Sequence, residues 1–157
     1  MIIIIGIAVF IFFLVPFLMG DKEIPQTNVS LYYYNADKDK NAIGNIECSR
    51  NGLVAVQRSI PETATPIEDT INLLLKGELT PQEKAEGITT EYPLPGFRLL
   101  STTLENGILT LQFSDPENKT GGGSCRVGIL WFQIEATAQQ LSGVIRVQFK
   151  PEELFQP

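Results

Sequence analysis

The sequence contains no histidine. That absence removes the usual general base, the Ser-His and Cys-His nucleophile pairs and the commonest zinc ligand. Carboxylate-only enzymes survive this filter, but the acidic residues are scattered over surfaces and loops with no pair where a cleft is implied. No catalytic, cofactor-binding or metal-binding residue is therefore assigned. Cysteine is scarce, with Cys48 and Cys125 alone. Charge is missing altogether from residues 1–20, and no internal repeat or low-complexity stretch appears. All 18 acidic and 12 basic residues follow that stretch, giving 12 − 18 = −6 on the remainder. An acidic balance of this size argues against nucleic acid, and against a second electrostatic attachment to anionic lipid.

What stands at 1–20 in place of charge is mostly Ile, Phe, Leu and Val, long enough to cross a bilayer as a helix. A cleaved signal peptide is the rival reading. Against it, no Lys or Arg precedes the apolar run, and Leu18-Met19-Gly20 makes a poor small-residue cleavage site. Lys22 lies between Asp21 and Glu23, a balance that leans towards an internal amino terminus and an external domain. In that compartment Cys48 and Cys125 are a disulfide candidate, with a pair of ordinary buried thiols as the alternative. At 157 residues the chain suits one domain plus a short appendage. Residues 21–28 read as a polar tether, 29–150 as the domain and 151–157 as a C-terminal tail.

Within the domain the element signals are strong. Alternation over 29–34 and a Val-rich run over 53–60 predict two strands. Thr65-Pro66-Ile67-Glu68 has the form of a capping box with Pro at the first helical position, and Ile67, Ile71, Leu74 and Leu75 continue it as one apolar face up to Gly77. Thr80-Pro81-Gln82-Glu83 repeats the start and Gly87 the stop, a short second helix. Asn106-Gly107 predicts a type I′ hairpin pairing Glu105 with Ile108, Leu104 with Leu109, Thr102 with Leu111 and Leu100 with Phe113. A helix over 125–141 follows, with Val127, Leu130, Trp131, Ile134, Ala138 and Leu141 on one face. A last strand over 144–149 has Ile145, Val147 and Phe149 on one side. The expected fold is α+β, a mixed or antiparallel sheet with two main helices on one face, in the order β-β-α-(short α)-β-β-α-β.

Residues 73–93, LLLKGELTPQEKAEGITTEYP, resemble the hallmark of the GerMN family of spore-germination modules, commonly Leu-Leu-x-Gly-Pro-Thr followed by a Glu, a Gly, then a Thr and a Pro. Here Glu78 and Leu79 stand before Thr80, a lengthened turn. The hairpin ending at Ser114 and Asp115 is similar to the family's hairpin ending in Ser, and the likeness runs through most of 29–149. This resemblance implies a non-enzymatic, extracytoplasmic, bacterial module related to the ring-building motifs of secretion and sporulation assemblies.

Weaker signals each have a plain counterpart. Asp37, Asp39 and Asn41 resemble the opening of a calcium loop, but Ala42 replaces its Gly and Cys48 its closing Glu, so a solvated turn is expected. Gly121-Gly122-Gly123-Ser124 with Arg126 could present amides to an anion, yet it reads better as a loop capped by Ser124. Of the three consecutive tyrosines, Tyr33 is expected in the core, with Tyr32 and Tyr34 sharing the other face as a candidate contact patch. Ile129, Phe132 and Ala136 lie opposite the main stripe of the last helix. A helix apolar on both sides either meets another chain or is covered by 115–124 or the tail. These features suggest a membrane-tethered module that associates with itself or with other envelope proteins. An envelope glycan- or peptide-binding domain is the alternative.

Overall fold

The computed structural model describes residues 24–157, so the anchor or signal sequence expected at 1–20 lies outside the described residues. Among those described, no helix is long and apolar enough to cross a membrane. The chain runs β1 (Gln26–Tyr34), β2 (Leu53–Pro61), α1 (Pro66–Leu75), α2 (Pro81–Ala85), β3 (Arg98–Glu105), β4 (Ile108–Ser114), α3 (Ser124–Gln139) and β5 (Arg146–Lys150), the α+β order that the sequence predicts. β1 begins at Gln26 rather than Val29. Gln26, Thr27 and Asn28, which read as tether, pair with Pro61, Ile60 and Ser59.

The strands form two sheets instead of the one expected. β1 and β2 make an antiparallel pair, while β3, β4 and β5 form a second sheet, antiparallel between β3 and β4 and parallel between β4 and β5. The reason lies on the outer edge of β1, where helix side chains take up the backbone. The Tyr32 N–H donates to Thr137 Oγ1 at 2.9 Å, and Gln140 Nε2 donates to the Ser30 carbonyl at 2.7 Å. Farther along, Tyr34 and Thr89 exchange backbone hydrogen bonds of 3.1 and 2.7 Å. An edge satisfied this way has few groups left for another strand. α1 and α3 pack on each other and each touches both sheets, α1 against β1 and β3, α3 against β1 and β5. The helix pair therefore joins two sheets rather than covering one face of one.

Leu109, Leu111 and Phe113 of β4 are buried at the centre with Leu31 and Tyr33 of β1, Ile71 and Leu74 of α1, and Leu130 and Ile134 of α3. The hairpin turns at Asn106 (φ 51°) and Gly107 (φ 80°), and pairs Glu105 with Ile108 and Leu104 with Leu109. A side chain at Gly107 would also strike Ile145, whose Cδ1 lies 2.6 Å from where its Cβ would be. The predicted register holds to Thr102 opposite Leu111 and then shifts at a bulge, so that Leu99, not Leu100, faces Phe113. Leu100 is left 48% exposed. Ile145 is likewise outside the core, because β5 starts only at Arg146, after both amides of the pair have bonded the Gly107 carbonyl.

The two helix starts differ. At α2 the capping box is complete: the Glu83 N–H donates to Thr80 Oγ1 at 3.2 Å and the Thr80 N–H to Glu83 Oε2 at 2.8 Å. At α1 the Thr65 side chain caps no amide and bonds Asp69 instead. Glu83 also receives both guanidinium nitrogens of Arg58 from β2, at 2.7 and 2.8 Å. The Arg58 guanidinium, with the Thr80 amide, holds the Glu83 carboxyl down to about 2. A second cross-link is covalent. Cys48, in the connection between β1 and β2, is bonded to Cys125 in the first turn of α3, across a sequence separation of 77.

Because the folded carboxyl of Glu83 titrates near 2 instead of near 4.5, its stabilising contribution is complete above about 4.5 and lost as pH falls towards 2. Glu83→Gln should cost about 2 kcal/mol at pH 7, the scale of charge-assisted hydrogen bonds, with the difference from wild type closing below pH 4.5. Thermal denaturation at pH 7, 4 and 2.5 measures this; a gap that stays constant with pH would exclude the ion pair as its source. Closing a loop of 77 residues is worth about 4.5 kcal/mol in chain entropy. The double variant Cys48→Ser with Cys125→Ser should therefore lose about 2–4 kcal/mol in urea denaturation. An unchanged midpoint would show that the bond constrains nothing.

Candidate functional site

Most of the sequence's candidate residues lie on α3 or beside it, so the roll of this helix decides which surfaces stay open. Val127, Leu130, Ile134 and Ala138 face the core, as their spacing predicts, but Gln133 and Thr137 are fully buried with them. Thr137 must face β1 to accept the Tyr32 amide, and this turns the helix away from the predicted stripe. Trp131, read as core, is consequently left at the margin, 38% exposed. Leu141 falls beyond the helix, which ends at Gln139.

The opposite face of α3 carries Ile129, Phe132 and Ala136, all half-buried. Its cover comes from the connection between β1 and β2. The Arg50 guanidinium lies 4.1 Å from the centroid of the Phe132 ring and its other end pairs with Glu135, while the Cys48 carbonyl approaches Gly128. The disulfide to Cys125 holds this segment in place. The tail packs elsewhere: the Phe155 ring lies 6.0 Å from Phe97 and 5.2 Å from Phe149, and its N–H donates to Thr120 Oγ1.

The tyrosine patch does not form. Tyr33 is buried with its hydroxyl donating to the Leu74 carbonyl at 3.3 Å, and burial pushes it up to about 12. Tyr34 is buried too, whereas Tyr32 is half-buried. The Tyr34 hydroxyl donates to Asp39 Oδ2 at 2.5 Å, and burial followed by that carboxylate raises its pKa. Room for the ring exists because Gly52 has no side chain; a Cβ there would lie 2.3 Å from it. Alternation places Tyr34 outside only if the strand runs on straight. Instead the chain turns into a 3-10 turn at Ala36–Asp39 and folds back over the ring.

The turn expected to be solvated encloses a buried carboxylate. Asp39 accepts from the Ser49 N–H at 2.6 Å and the Ser49 hydroxyl at 2.5 Å in addition to Tyr34. Burial pushes its pKa up, but the Ser49 and Tyr34 hydrogen bonds outweigh it and hold the group below the usual carboxylate range. Asp37 is exposed and pairs with Lys40, and Asn41 Oδ1 accepts from the amides of Ile43 and Asn45. These groups are engaged in building the turn. The glycine loop is similarly self-contained: α3 begins at Ser124 with Gly123 as its cap, and Arg126 turns back to the Lys119 and Gly121 carbonyls and to Glu91. Asp115 fixes the same loop through the Lys119 and Thr120 amides at 2.8 Å each. Among the described residues no group of three His, Cys, Asp or Glu is placed to hold a metal ion.

Among the open depressions of the described residues is an apolar groove of about 300 Å³ between α3, β5 and the tail, lined chiefly by Trp131, Val147, Phe149, Leu154 and Phe155. The Trp131 and Phe149 rings meet edge to face at 5.8 Å. The sequence places Trp131 and Phe149 in the core and offers the tail as cover for the opposite face of the helix, whereas Leu154 and Phe155 wall this groove instead. One signal pointed otherwise: Thr137 and Gln140, polar residues at the side of an apolar stripe, needed a partner, and β1 supplies it.

A family model described as "Germane: Sporulation and spore germination" matches residues 30–153. Among solved structures the chain is similar to the tandem GerMN domains of the sporulation protein GerM from Bacillus subtilis, at 19% identity and a TM-score of 0.51, over 86% of this chain and 43% of that one. The first GerMN domain of the same protein aligns at 16% identity and a TM-score of 0.46, over 80% of this chain and 86% of that one. The chain thus spans less than half the length of the tandem structure. No curated protein matches it. Identities this low speak to the fold alone, and it is the match over residues 30–153 that shows the chain to belong to the Germane family of sporulation and spore-germination domains, the family of the GerMN domain.

Proposed function

We propose that this protein is a non-catalytic docking module of the bacterial cell envelope, held at the membrane by residues 1–20 with its domain on the extracytoplasmic side. The observation that carries the reading is the groove at Trp131, an aromatic side chain left 38% exposed beside apolar walls and the edge of a sheet. Tryptophan in a partly enclosed apolar pocket is the side chain most enriched at binding hot spots. The Cys48–Cys125 bond supports the location, since structural disulfides persist in oxidising compartments. The uncharged run at 1–20 supports the tether. The non-catalytic reading rests on the work the acidic side chains already do. Asp39, Asp115, Glu83 and Glu135 are each bound to partners within the fold. The partner is another envelope protein or a second copy of this chain.

The test is a photoreactive benzoylphenylalanine in place of Gln148, an exposed residue at the groove, in the full-length chain in its native membrane. Adducts to a protein are expected, and Trp131→Ala should reduce their yield at least tenfold. The same probe at Asn72, on the far side of α1, should give none that depend on Trp131. If adducts at Gln148 are absent, or are indifferent to Trp131, the groove is not the docking surface.

A further inference from the structure

Resting on that reading of the groove, we propose that the occupant is an extended segment of another protein, added as a strand along β5. It would set apolar side chains opposite Val147 and Phe149 and an acidic one opposite Arg146. β5 is an edge strand of its sheet. The Arg146 N–H donates to the Gly107 carbonyl at 3.0 Å, inside the ladder with β4. Backbone polar groups alternate sides along a strand, so Gln148 and Lys150 also face β4, while Val147 and Phe149 turn their N–H and C=O outward. Among the described residues no other segment takes these groups up. The groove lies along this edge, so a peptide bonding there would place alternate side chains against Phe149 and Trp131.

Two of the other three edges are less suited to this. β1 is taken up by Thr137, Gln140 and Thr89, and β3 is interrupted by the bulge at Leu100. β5 pairs in regular register throughout, without a bulge. Charge decides between kinds of occupant. Arg146 is exposed and in no ion pair among the described residues, whereas Lys150 has an exposed partner in Glu152. Two copies of β5 paired antiparallel would set Arg146 against Lys150 twice, and like charges directly opposite are destabilising. The chain's own net charge of −6 adds to the repulsion between copies. A foreign strand with a single acid opposite Arg146 meets neither obstacle.

Trp131 is the only tryptophan in the chain, so its emission reports the groove directly. The experiment titrates the full chain, in detergent micelles, with the capped peptide Thr-Leu-Thr-Val-Glu-Thr, an antiparallel match that places Leu opposite Phe149, Val opposite Val147 and Glu opposite Arg146. The expected result is a saturable blue shift, about fivefold weaker when the peptide's Glu is replaced by Lys. It should vanish when the peptide amides facing β5 are N-methylated. Val147→Pro should abolish it too, because that N–H points away from β4, whereas Val147→Thr, which keeps the N–H, should bind within threefold of wild type. The methylated peptide gives the same test should the proline variant fail to fold. Binding indifferent to N-methylation, or absent for the acidic peptide, overturns strand addition. If the cross-links at Gln148 persist in either case, the groove still docks a partner by side chains alone. Loss of both removes the docking reading as well.

Discussion

The backbone of β1 has two edges, and only one of them meets another strand. Its second edge is satisfied by the side chains of Thr137 and Gln140 from α3, and much of the architecture depends on that substitution of helix for strand. A buried backbone group left unbonded would cost about 1–3 kcal/mol, so the helix must present Thr137 to the partly buried Tyr32 amide, while the Gln140 bond to Ser30 lies at the exposed end. Doing so splits what could have been one sheet into two and fixes the roll of α3. The roll then decides which apolar residues are sealed. Ile134 and Ala138 go fully inside, and Trp131 stops at the margin.

The far side of the same helix shows how an apolar face can be closed from within the chain. Phe132 lies under the Arg50 guanidinium, which is paired to Glu135, and Cys48 anchors the segment to Cys125, about two helical turns away. The segment could not hold that position without its own internal support. Asp39 gathers the Ser49 amide, the Ser49 hydroxyl and the Tyr34 hydroxyl, so the connection between β1 and β2 behaves as a folded unit. Burying a carboxylate is unfavourable unless its oxygens are bonded, and three short hydrogen bonds meet that requirement. One consequence is that Tyr34 serves the fold from inside and is withdrawn from the surface.

These particulars explain where the sequence was legible. The hairpin could be registered from Asn106-Gly107 because a turn fixes pairing locally, and the pairing failed only past the bulge at Leu100, which no local signal marks. The capping box at Thr80 was readable because both partners lie within four residues. The one at Thr65 carried the same letters, but Asp69 competed for the hydroxyl. The two-sheet arrangement, the roll of α3 and the burial of Tyr34 all depend on pairs far apart in the chain, Tyr32 with Thr137 and Tyr34 with Thr89 among them. Periodicity reports how wide an apolar face is, and it placed the core residues Leu109, Leu111, Leu130 and Ile134 correctly. It does not report which polar residue at the border of that face will be pulled inside, and the groove arises at that border.

An exposed sheet edge is a liability unless it is used, and the four outer edges of the two sheets are treated differently. β1 is closed by α3, β3 is broken by a bulge, and β2 is clamped where Arg58 reaches Glu83 and the Glu78 carbonyl. β5 has none of these devices. Beside it lie the partly open rings of Trp131 and Phe149, and the tail extends the apolar wall with Leu154 and Phe155. That wall is braced, since the Thr120 hydroxyl bonds both Asp115 and the Phe155 amide. Rigid walls lower the entropic cost of closing on a ligand. The bracing of the wall and the bareness of the edge are therefore two parts of one arrangement, suited to receiving a strand that the described residues do not supply.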